Sequence, residues 1–452
     1  MLSPSSGSGS GRAIVIGPYL RASPPGPDAS RDEHEQRSPQ ARLDEAAGLA
    51  RAIDLDVVHA GVVTLAAVRP ATYLGKGKVD EIAGLVKTLE ADLVVMDCAL
   101  SPVQQRNLEK AWNAKVVDRT GLILEIFGRR AATREGTLQV ELAHLTYQRS
   151  RLVRSWTHLE RQRGGFGFLG GPGETQLEAD RRIIAQRIGK IERELEGVKR
   201  TRGLHRKSRK RVPYPIVALV GYTNAGKSTL FNRLTKAAVL STDMLFATLD
   251  PTLRAVDLPH GARVILSDTV GFISDLPTML VAAFRATLEE VIEADLILHV
   301  RDVSHGDTQA QSRDVEQVLS ELGITPEDGR IIEVWNKIDR LDAAERERLD
   351  NLARRQPPDH RPMLASAATG EGIDALVATI EARIAQSRVT LTVDLDAAEG
   401  AALSWLHRHA EVLDQATTDD GRTAVRIRID PTKEGLVRQK FGPRIRGMAV
   451  SG

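Results

Sequence analysis

One octet constrains the fold of this chain more than any other feature. Residues Gly221 to Ser228 read Gly-Tyr-Thr-Asn-Ala-Gly-Lys-Ser, between an apolar run at 216–220 and a helical pattern that starts at Thr229. This strand–loop–helix context distinguishes a true phosphate-binding loop from a chance match. The glycines let backbone N–H groups surround phosphates, and the helix N-terminus adds a positive dipole end. The octet therefore predicts an α/β domain that binds a nucleoside triphosphate.

The residues of this loop have distinct expected roles. Lys227 is the candidate catalytic residue because it reaches the β- and γ-phosphates, and the Ser228 hydroxyl holds Mg²⁺. We predict that the whole loop lines the nucleotide site: Gly221, Tyr222, Thr223, Asn224, Ala225, Gly226, Lys227 and Ser228.

Two further segments complete the predicted phosphate and metal site. Asp268 follows a strand candidate at 263–267 with the apolar residues Val264-Ile265-Leu266. An acid at the end of that strand can hold Mg²⁺ through water, and Gly271 can approach the γ-phosphate. Thr248 is the expected second hydroxyl on Mg²⁺, in a loop that only the triphosphate orders. The nucleotide-binding residues predicted here are Phe246, Ala247, Thr248, Leu249, Asp250, Asp268, Thr269, Val270 and Gly271.

Two more segments are predicted to select the base of the nucleotide. Asn336-Lys337-Ile338-Asp339 follows the apolar strand at 331–335, and its last carboxylate can accept from both N1–H and the amine of guanine. Adenine has no such donor pair, so the motif favours GTP. Ser366-Ala367-Ala368 can supply a backbone donor to the guanine O6. Several short motifs in this order make a chance match improbable.

The 452-residue chain is too long for one compact core, so we predict several domains. The expected fold class is α/β: a phosphate-loop GTPase domain with an N-terminal α/β subdomain, a long helical hairpin and a small C-terminal α+β domain. The predicted boundaries are a Ser/Gly-rich disordered tail at 1–10, the N-terminal subdomain at 11–128, a basic hairpin with a Gly-rich tip at 129–212, the GTPase domain at 213–388 and the C-terminal domain at 389–452.

Composition and the pattern of apolar residues indicate the cellular compartment and the kinds of surface that the protein can have. No apolar stretch is long enough to cross a bilayer, and the N-terminus lacks a signal pattern, so we expect a cytoplasmic monomer without stable membrane insertion. The sequence leaves open whether the protein associates with the surface of a membrane. The single cysteine, Cys98, excludes an internal disulfide. Because the net charge is only +2, a nucleic-acid surface has to come from local clusters.

The hairpin carries such clusters. Basic residues flank its Gly-rich tip at 164–173, and the segment 199–211 has many basic residues but no acid. Such clusters suit binding to the phosphate backbone of a nucleic acid. The segment 174–196 instead mixes acidic residues with arginines, which is typical of a solvated helix face. Two phenylalanines at the tip either stack on unpaired RNA bases or fold back onto the hairpin. The candidate RNA-binding residues are Arg161, Arg163, Phe166 and Phe168.

Taken together, these motifs resemble the HflX family of ribosome-associated GTPases, within the Obg-HflX-like superfamily. The resemblance rests on the phosphate loop with its extension to Asn232, on Phe-Ala-Thr-Leu-Asp-Pro-Thr at 246–252, and on Asp-Thr-Val-Gly-Phe at 268–272. Gly-Pro-Gly-Glu-Thr-Gln-Leu-Glu at 171–178 and the segment 99–109 add to it. It covers roughly residues 11 to 387 and is weakest in the C-terminal domain. It implies hydrolysis of GTP to GDP, binding to the large ribosomal subunit and its RNA, and a role in splitting or rescuing stalled ribosomes or in subunit maturation.

The residue after Gly271 bears on hydrolysis. Many GTPases have a glutamine there that orients the attacking water, but Phe272 cannot bind water. We therefore expect slow intrinsic hydrolysis, and hypothesise that the ribosome completes the site. Asn224 matches an asparagine that ligates K⁺ in some related GTPases, although a role in stabilising the loop explains it equally well.

Two other functions fit the sequence less well. A GTP-regulated RNA-modification or RNA-remodelling protein would carry a motif for a second chemistry, and none is visible. A signalling GTPase with protein partners alone would not need the basic hairpin.

Overall fold

The structure, a computed structural model, describes residues 11–21, 37–162, 176–209, 214–236, 245–246, 252–259, 263–277, 288–386, 389–396, 399–417, 422–429 and 431–448. The predicted tail at 1–10 and the Gly-rich tip at 164–173 lie outside these residues, as do 247–250 with Thr248. The chain divides into two compact units, Met1–Val256 with Ile265–Glu371 and Asp257–Val264 with Gly372–Gly452. Each unit is described by itself.

The first unit begins with a four-stranded parallel sheet in the order β2-β1-β3-β4. Its strands are β1 (Arg12–Leu20), β2 (Asp56–Leu65), β3 (Leu93–Met96) and β4 (Lys115–Asp118). The helices in this region are α1 (Pro39–Arg51), α2 (Lys76–Thr88), α3 (Pro102–Trp112) and α4 (Arg119–Arg130). Every residue of β3 is apolar and buried, as expected for a strand that helices cover on both faces.

Two long helices follow, α5 (Arg134–Gln162) and α6 (Gln176–Arg209). The helical pattern expected from residue 129 is interrupted, because Ala131 is extended and the Thr133 hydroxyl accepts from Gly136 N at 3.0 Å at the start of α5. The two helices pack through Leu138, Ile191 and Leu195. Among the described residues, no helix is both long and apolar enough to cross a membrane.

A six-stranded sheet in the order β10-β9-β8-β5-β7-β6 forms the GTPase domain of the first unit. The strands are β5 (Ile216–Gly221), β6 (Thr252–Asp257), β7 (Arg263–Asp268), β8 (Leu296–Asp302), β9 (Ile331–Asn336) and β10 (Met363–Leu364). The helices are α7 (Lys227–Thr235), α8 (Thr308–Glu321) and α9 (Ala343–Arg354). Since β5 pairs in parallel with both β7 and β8, the loop after β5 opens at the carboxyl edge of the sheet, where open α/β sheets bind ligands.

One hydrophobic core joins the N-terminal subdomain to the GTPase domain. It includes Leu43 and Phe127 from the first region, and Val220 and Phe272 from the second. The rings of Phe127 and Phe246 meet edge to face, with their centroids 4.7 Å apart. Each such buried aromatic side chain contributes about 1.5–3 kcal/mol, so the contact stabilises the relative position of the two regions.

The second unit is a small α+β fold. Its antiparallel sheet has the order β12-β13-β11-β14. The elements are α10 (Ile373–Gln386), β11 (Val389–Asp396), α11 (Gly400–His409), β12 (Glu411–Thr417), β13 (Arg422–Ile429), α12 (Pro431–Phe441) and β14 (Ile445–Met448). The alternating pattern of β11 puts Leu391, Val393 and Leu395 into the core of this unit, as its sequence predicted.

Candidate nucleotide-binding site

The loop between β5 and α7 requires both of its glycines. Gly221 has φ +151° and a Cβ there would lie 2.2 Å from the carbonyl oxygen of Val300. Gly226, the N-cap of α7, has φ +93° and a Cβ there would lie 2.3 Å from Nδ2 of Asn336. Positive φ and this close packing exclude any side chain at either position. The backbone thus wraps tightly around the place that phosphates occupy in such loops.

Lys227 lies at the base of this loop with only 6% of its surface exposed. Its Nζ donates to the carbonyl oxygens of Gly221 at 3.1 Å and Tyr222 at 2.8 Å. Burial lowers the pKa of Lys227 to about 8, although nearby Asp268 opposes the shift. A buried ammonium that contacts mainly carbonyl oxygens is well placed to gain the stronger, charge-assisted bonds that phosphate oxygens offer.

The predicted metal-binding groups meet at the end of β7. The Ser228 hydroxyl donates to Oδ2 of the fully buried Asp268 at 2.8 Å. The neighbouring Thr269 donates to the Leu219 carbonyl at 2.5 Å, which ties β7 to β5. A hydroxyl beside a carboxylate is an all-oxygen set that suits Mg²⁺. Thr248, the second predicted hydroxyl, lies outside the described residues.

The segment after Asp268 runs against the phosphate loop. A Cβ on Gly271 would lie 2.8 Å from Cγ2 of Thr223 and 3.0 Å from Nζ of Lys227, so only glycine fits. Thr223 N donates to the Phe272 carbonyl at 2.7 Å, and Phe272 N donates to the Gly221 carbonyl at 3.1 Å. The Phe272 side chain is fully buried in the shared core. Residue 272 therefore contributes backbone contacts to the site and no side chain.

The base-selecting segments are joined by Asn336. Its Nδ2 donates to the Ala225 carbonyl at 2.8 Å, and its Oδ1 accepts from Ala367 N at 2.9 Å. One buried amide thus fixes the phosphate loop and the 366–368 segment to β9. Asp339 accepts from the Ser366 hydroxyl at 2.5 Å, which orients the carboxylate expected to read guanine.

Asp302, at the end of β8, was not predicted from the sequence. Its Oδ2 lies 2.7 Å from Nζ of Lys337, whose backbone has φ +68°. The ion pair stabilises a left-handed conformation that is unfavourable for a lysine. An acid at the end of the predicted strand 296–301 is the signal that could have indicated it.

Tyr222 reaches out of the site toward the N-terminal subdomain. Its hydroxyl accepts from Ser274 N at 2.7 Å and donates to the Glu45 carboxylate. Arg37 stacks over the tyrosine ring, 4.5 Å from its centroid. No sequence pattern indicated these partners, because Glu45 and Tyr222 are 177 residues apart.

The structure brings most of the predicted nucleotide-site residues to one edge of the sheet. The phosphate loop, 268–271, 336–339 and 366–368 all lie there. The Phe246 side chain instead packs in the shared core, with 2% of its surface exposed. Several predicted site residues lie outside the described residues: Ala247, Thr248, Leu249, Asp250, Arg163, Phe166 and Phe168. Arg161 lies in α5, but its side chain is not described.

The fold and this site define a phosphate-loop GTPase. Family models cover most of the chain: GTP-binding GTPase N-terminal at 40–128, GTP-binding GTPase Middle Region at 130–209, 50S ribosome-binding GTPase at 216–337 and HflX C-terminal domain at 351–446. The chain belongs to the HflX family of GTPases, and GTP hydrolysis is its chemistry.

Individual relatives agree with this assignment. The GTPase HflX of Magnetococcus marinus is 52% identical over 386 residues, which are 85% of this chain and 88% of the relative. That of Escherichia coli is 47% identical over 360 residues, 80% of this chain and 83% of the relative. Among solved structures, a GTP-binding protein from Sulfolobus solfataricus in complex with GDP is 22% identical with a TM-score of 0.44, over 83% of this chain and 99% of that one.

Proposed function

We propose that this GTPase binds the large ribosomal subunit through its RNA, and uses GTP binding and hydrolysis to split or rescue stalled ribosomes or to assist subunit maturation. It would act as a monomer in the cytoplasm, where ribosomes are. The observation that carries the proposal is an arginine-lined groove between α5 and α6. The family model at 216–337, described as a 50S ribosome-binding GTPase, supports the same partner.

The groove has a volume of about 470 Å³. It is lined by Thr146, Arg149, Ser150, Arg181, Arg182 and Ala185. Arg149 and Arg181 form no ion pair with any side chain that the structure describes. Farther from the Gly-rich tip, Arg187 pairs with Glu141 at 2.6 Å. Among the described side chains of the hairpin, Arg149 and Arg181 therefore offer positive charge that no acidic side chain neutralises.

This charge pattern suits RNA phosphates. Arginine presents several donors in a planar fork, and phosphate oxygens accept two of them at once. Each phosphate contact also releases condensed counterions, which makes binding depend on salt. Phe166 and Phe168 remain candidates for stacking on unpaired bases, and they lie outside the described residues.

The metal ions belong to the proposal as well. Ser228 and Thr248 would hold Mg²⁺ beside Asp268, and the ion would neutralise charge that develops on the phosphates. Asn224, at φ +60° in the loop, is a candidate K⁺ ligand. Equal turnover in Na⁺ and K⁺ would remove the K⁺ assignment and leave Asn224 a role in loop conformation.

We also propose that the ribosome completes the hydrolytic site, and the residue at 272 supports this. The Phe272 side chain is apolar and buried, so it supplies no group that positions water. We expect purified large subunits to increase GTP turnover at least tenfold. Turnover that is the same with and without subunits would contradict this part of the proposal.

Sedimentation with large subunits tests the RNA contact directly. We expect the double variant Arg149→Glu/Arg181→Glu to bind at least tenfold more weakly than the natural protein with a GTP analogue. The slope of log affinity against log salt should also fall by about 2, one per lost phosphate contact. The matched control is Arg348→Glu/Arg355→Glu, which reverses two exposed arginines in and after α9. Equal binding by the two double variants, or binding that ignores the nucleotide, would contradict the proposal.

A further inference from the structure

The loop after β10 has one backbone N–H group left for a ligand. The other N–H groups of residues 366–370 donate to acceptors within the protein, and they are those of Ser366, Ala367, Thr369 and Gly370. The N–H of the exposed residue Ala368 has no partner in the part of the chain that the structure describes. Ala368 is therefore the residue of the 366–368 segment that can supply the predicted donor to the guanine O6.

Arg233, in the last turn of α7, holds the peptide group to which this N–H belongs. Its Nε donates to the Ala367 carbonyl at 2.6 Å, and its Nη2 donates to the Ala368 carbonyl. A Cβ on Gly370, whose φ is +97°, would lie 2.7 Å from Nη1 of Arg233, so the glycine leaves room for the guanidinium beside the loop. One arginine thus restrains both carbonyl groups in the middle of the loop.

A planar peptide transmits this restraint to the N–H. The carbonyl of Ala367 and the N–H of Ala368 belong to one trans peptide unit, which points them in opposite directions. Because Arg233 holds the carbonyl, the N–H is directed away from the guanidinium. A cationic donor on the carbonyl also polarises the amide, and this makes its N–H a stronger donor.

The orientation of this peptide decides which purine it can bind. Guanine has an oxygen acceptor at C6, whereas adenine has an amino donor there. If the peptide rotated by half a turn, it would present the Ala367 carbonyl, which can accept from adenine. We propose that Arg233 is a positioning residue for guanine recognition, which keeps the Ala368 N–H directed to the base and prevents that rotation.

Asp339, the other predicted base contact, has a support of its own. It accepts from the Ser366 hydroxyl at 2.5 Å, and Ser366 N donates to the Glu371 carbonyl at 2.8 Å. Arg233 takes part in neither contact. Loss of Arg233 should therefore weaken recognition of the O6 and preserve recognition of the N1–H and the amine. The inference rests on the guanine site predicted from the sequence, and not on the ribosomal partner.

Binding of GDP and 6-thio-GDP by the full chain, without ribosomes, tests the inference. The sulfur of 6-thio-GDP is a weak acceptor, whereas its N1–H and amine are those of guanine. We expect the natural protein to bind GDP about tenfold more tightly than 6-thio-GDP, and Arg233→Ala to reduce this ratio to about threefold or less. The ratio of affinities for GDP and inosine diphosphate, which lacks the amine, should stay within about twofold of the natural value.

The kinetics of GTP hydrolysis give a second measure. Contacts to the base are the same in the ground state and in the transition state, so their loss affects binding alone. We expect Arg233→Ala to raise KM for GTP about threefold or more and to leave kcat within about twofold. A fall in kcat with an unchanged KM would contradict a role in base recognition.

The matched control is Arg346→Ala. It removes an exposed ion pair with Glu371, at the other end of the same loop, and should leave the ratio for GDP and 6-thio-GDP unchanged. If Arg233→Ala does not fold, Arg233→Lys keeps the positive charge but lacks the planar fork that bonds both carbonyls. Its ratio should also fall, to about fivefold or less.

Three results would overturn the proposal. The first is a natural protein that binds GDP and 6-thio-GDP equally. The second is a loss of affinity in the Arg233 variants by the same factor for both nucleotides, which indicates a general loss of structure. The third is a variant that binds both nucleotides as the natural protein does.

Discussion

The N-terminal subdomain and the GTPase domain are both parallel α/β sheets with polar residues at the carboxyl edge, yet their polar residues are used differently. In the GTPase domain, Thr223 Oγ1 is buried without a hydrogen-bond partner among the described residues, and Lys227 contacts mainly carbonyl oxygens. In the N-terminal subdomain, Asp118 is equally buried, but it accepts from Leu100 N at 3.2 Å and Gly121 N at 2.8 Å. Tyr147 and Arg151 also donate to it.

The comparison shows that two sheets of similar architecture can differ in how the polar side chains at their carboxyl edges are paired. The N-terminal sheet reverses its strand order between β1 and β3, the crevice where such sheets bind ligands. There the Tyr19 hydroxyl and Arg119 already occupy Asp97. Buried polar groups that satisfy one another stabilise a fold, whereas groups that lack good partners can bind something else. Three experiments test this contrast.

The largest effect is expected at Lys227. Lys227→Ala removes the buried ammonium from the phosphate loop, so we expect kcat/KM for GTP to fall at least a hundredfold. Steady-state turnover measures it. Lys236→Ala, at the exposed end of the same helix, is the control and should retain full activity. A Lys227 variant that kept a tenth of the activity would show that the loop does not depend on this charge.

The second effect concerns stability. Asp118→Ala removes the acceptor of two backbone N–H groups and the carboxylate partner of Arg151, so the free energy of unfolding should fall by about 3 kcal/mol. Chemical denaturation measures this loss. The exposed Asp56→Ala should change stability by less than about 0.5 kcal/mol. If Asp118 has only a structural role, GDP affinity stays the same in the folded variant, and a tenfold loss of affinity would reveal a role in the nucleotide site.

The smallest effect is a pH dependence of nucleotide binding. The pKa of Lys227 is about 8 in the free protein because of burial, and a bound phosphate raises it. Below pH 8 the lysine is already charged and affinity is flat. Above pH 8 binding requires proton uptake, so affinity should fall by up to tenfold per pH unit. Calorimetry in buffers of different ionisation enthalpy between pH 7 and 9 would detect the proton, and zero uptake at pH 9 would contradict the assignment.

The sequence predicted the parts of this molecule that are local. The phosphate loop is one continuous octet, and strands rich in apolar residues precede it, Asp268 and Asn336, so the fold class followed from short patterns. The same patterns predicted the candidate nucleotide site, whose residues stay a prediction. Strands β6, β10, β12 and β14 were not predicted. Strand β10 has only two residues, β14 has four, and β6 is half exposed. The contacts of Tyr222 with Glu45 and Ser274 could not be predicted, since these residues lie in two loops and on α1, which only tertiary packing brings together.

The hydrophobic core shared by Phe127 and Phe246 has a consequence for synthesis of the chain. The apolar faces of α1 and α4 emerge first, but Phe246, whose ring meets that of Phe127, is made about 120 residues later, as the numbers 127 and 246 show. At roughly 5–20 residues per second, this delay lasts on the order of ten seconds or more. During that interval the nascent N-terminal region exposes aromatic and aliphatic surface, which is the kind of surface that chaperones bind. A truncated chain that ends before the GTPase domain would remain in that state.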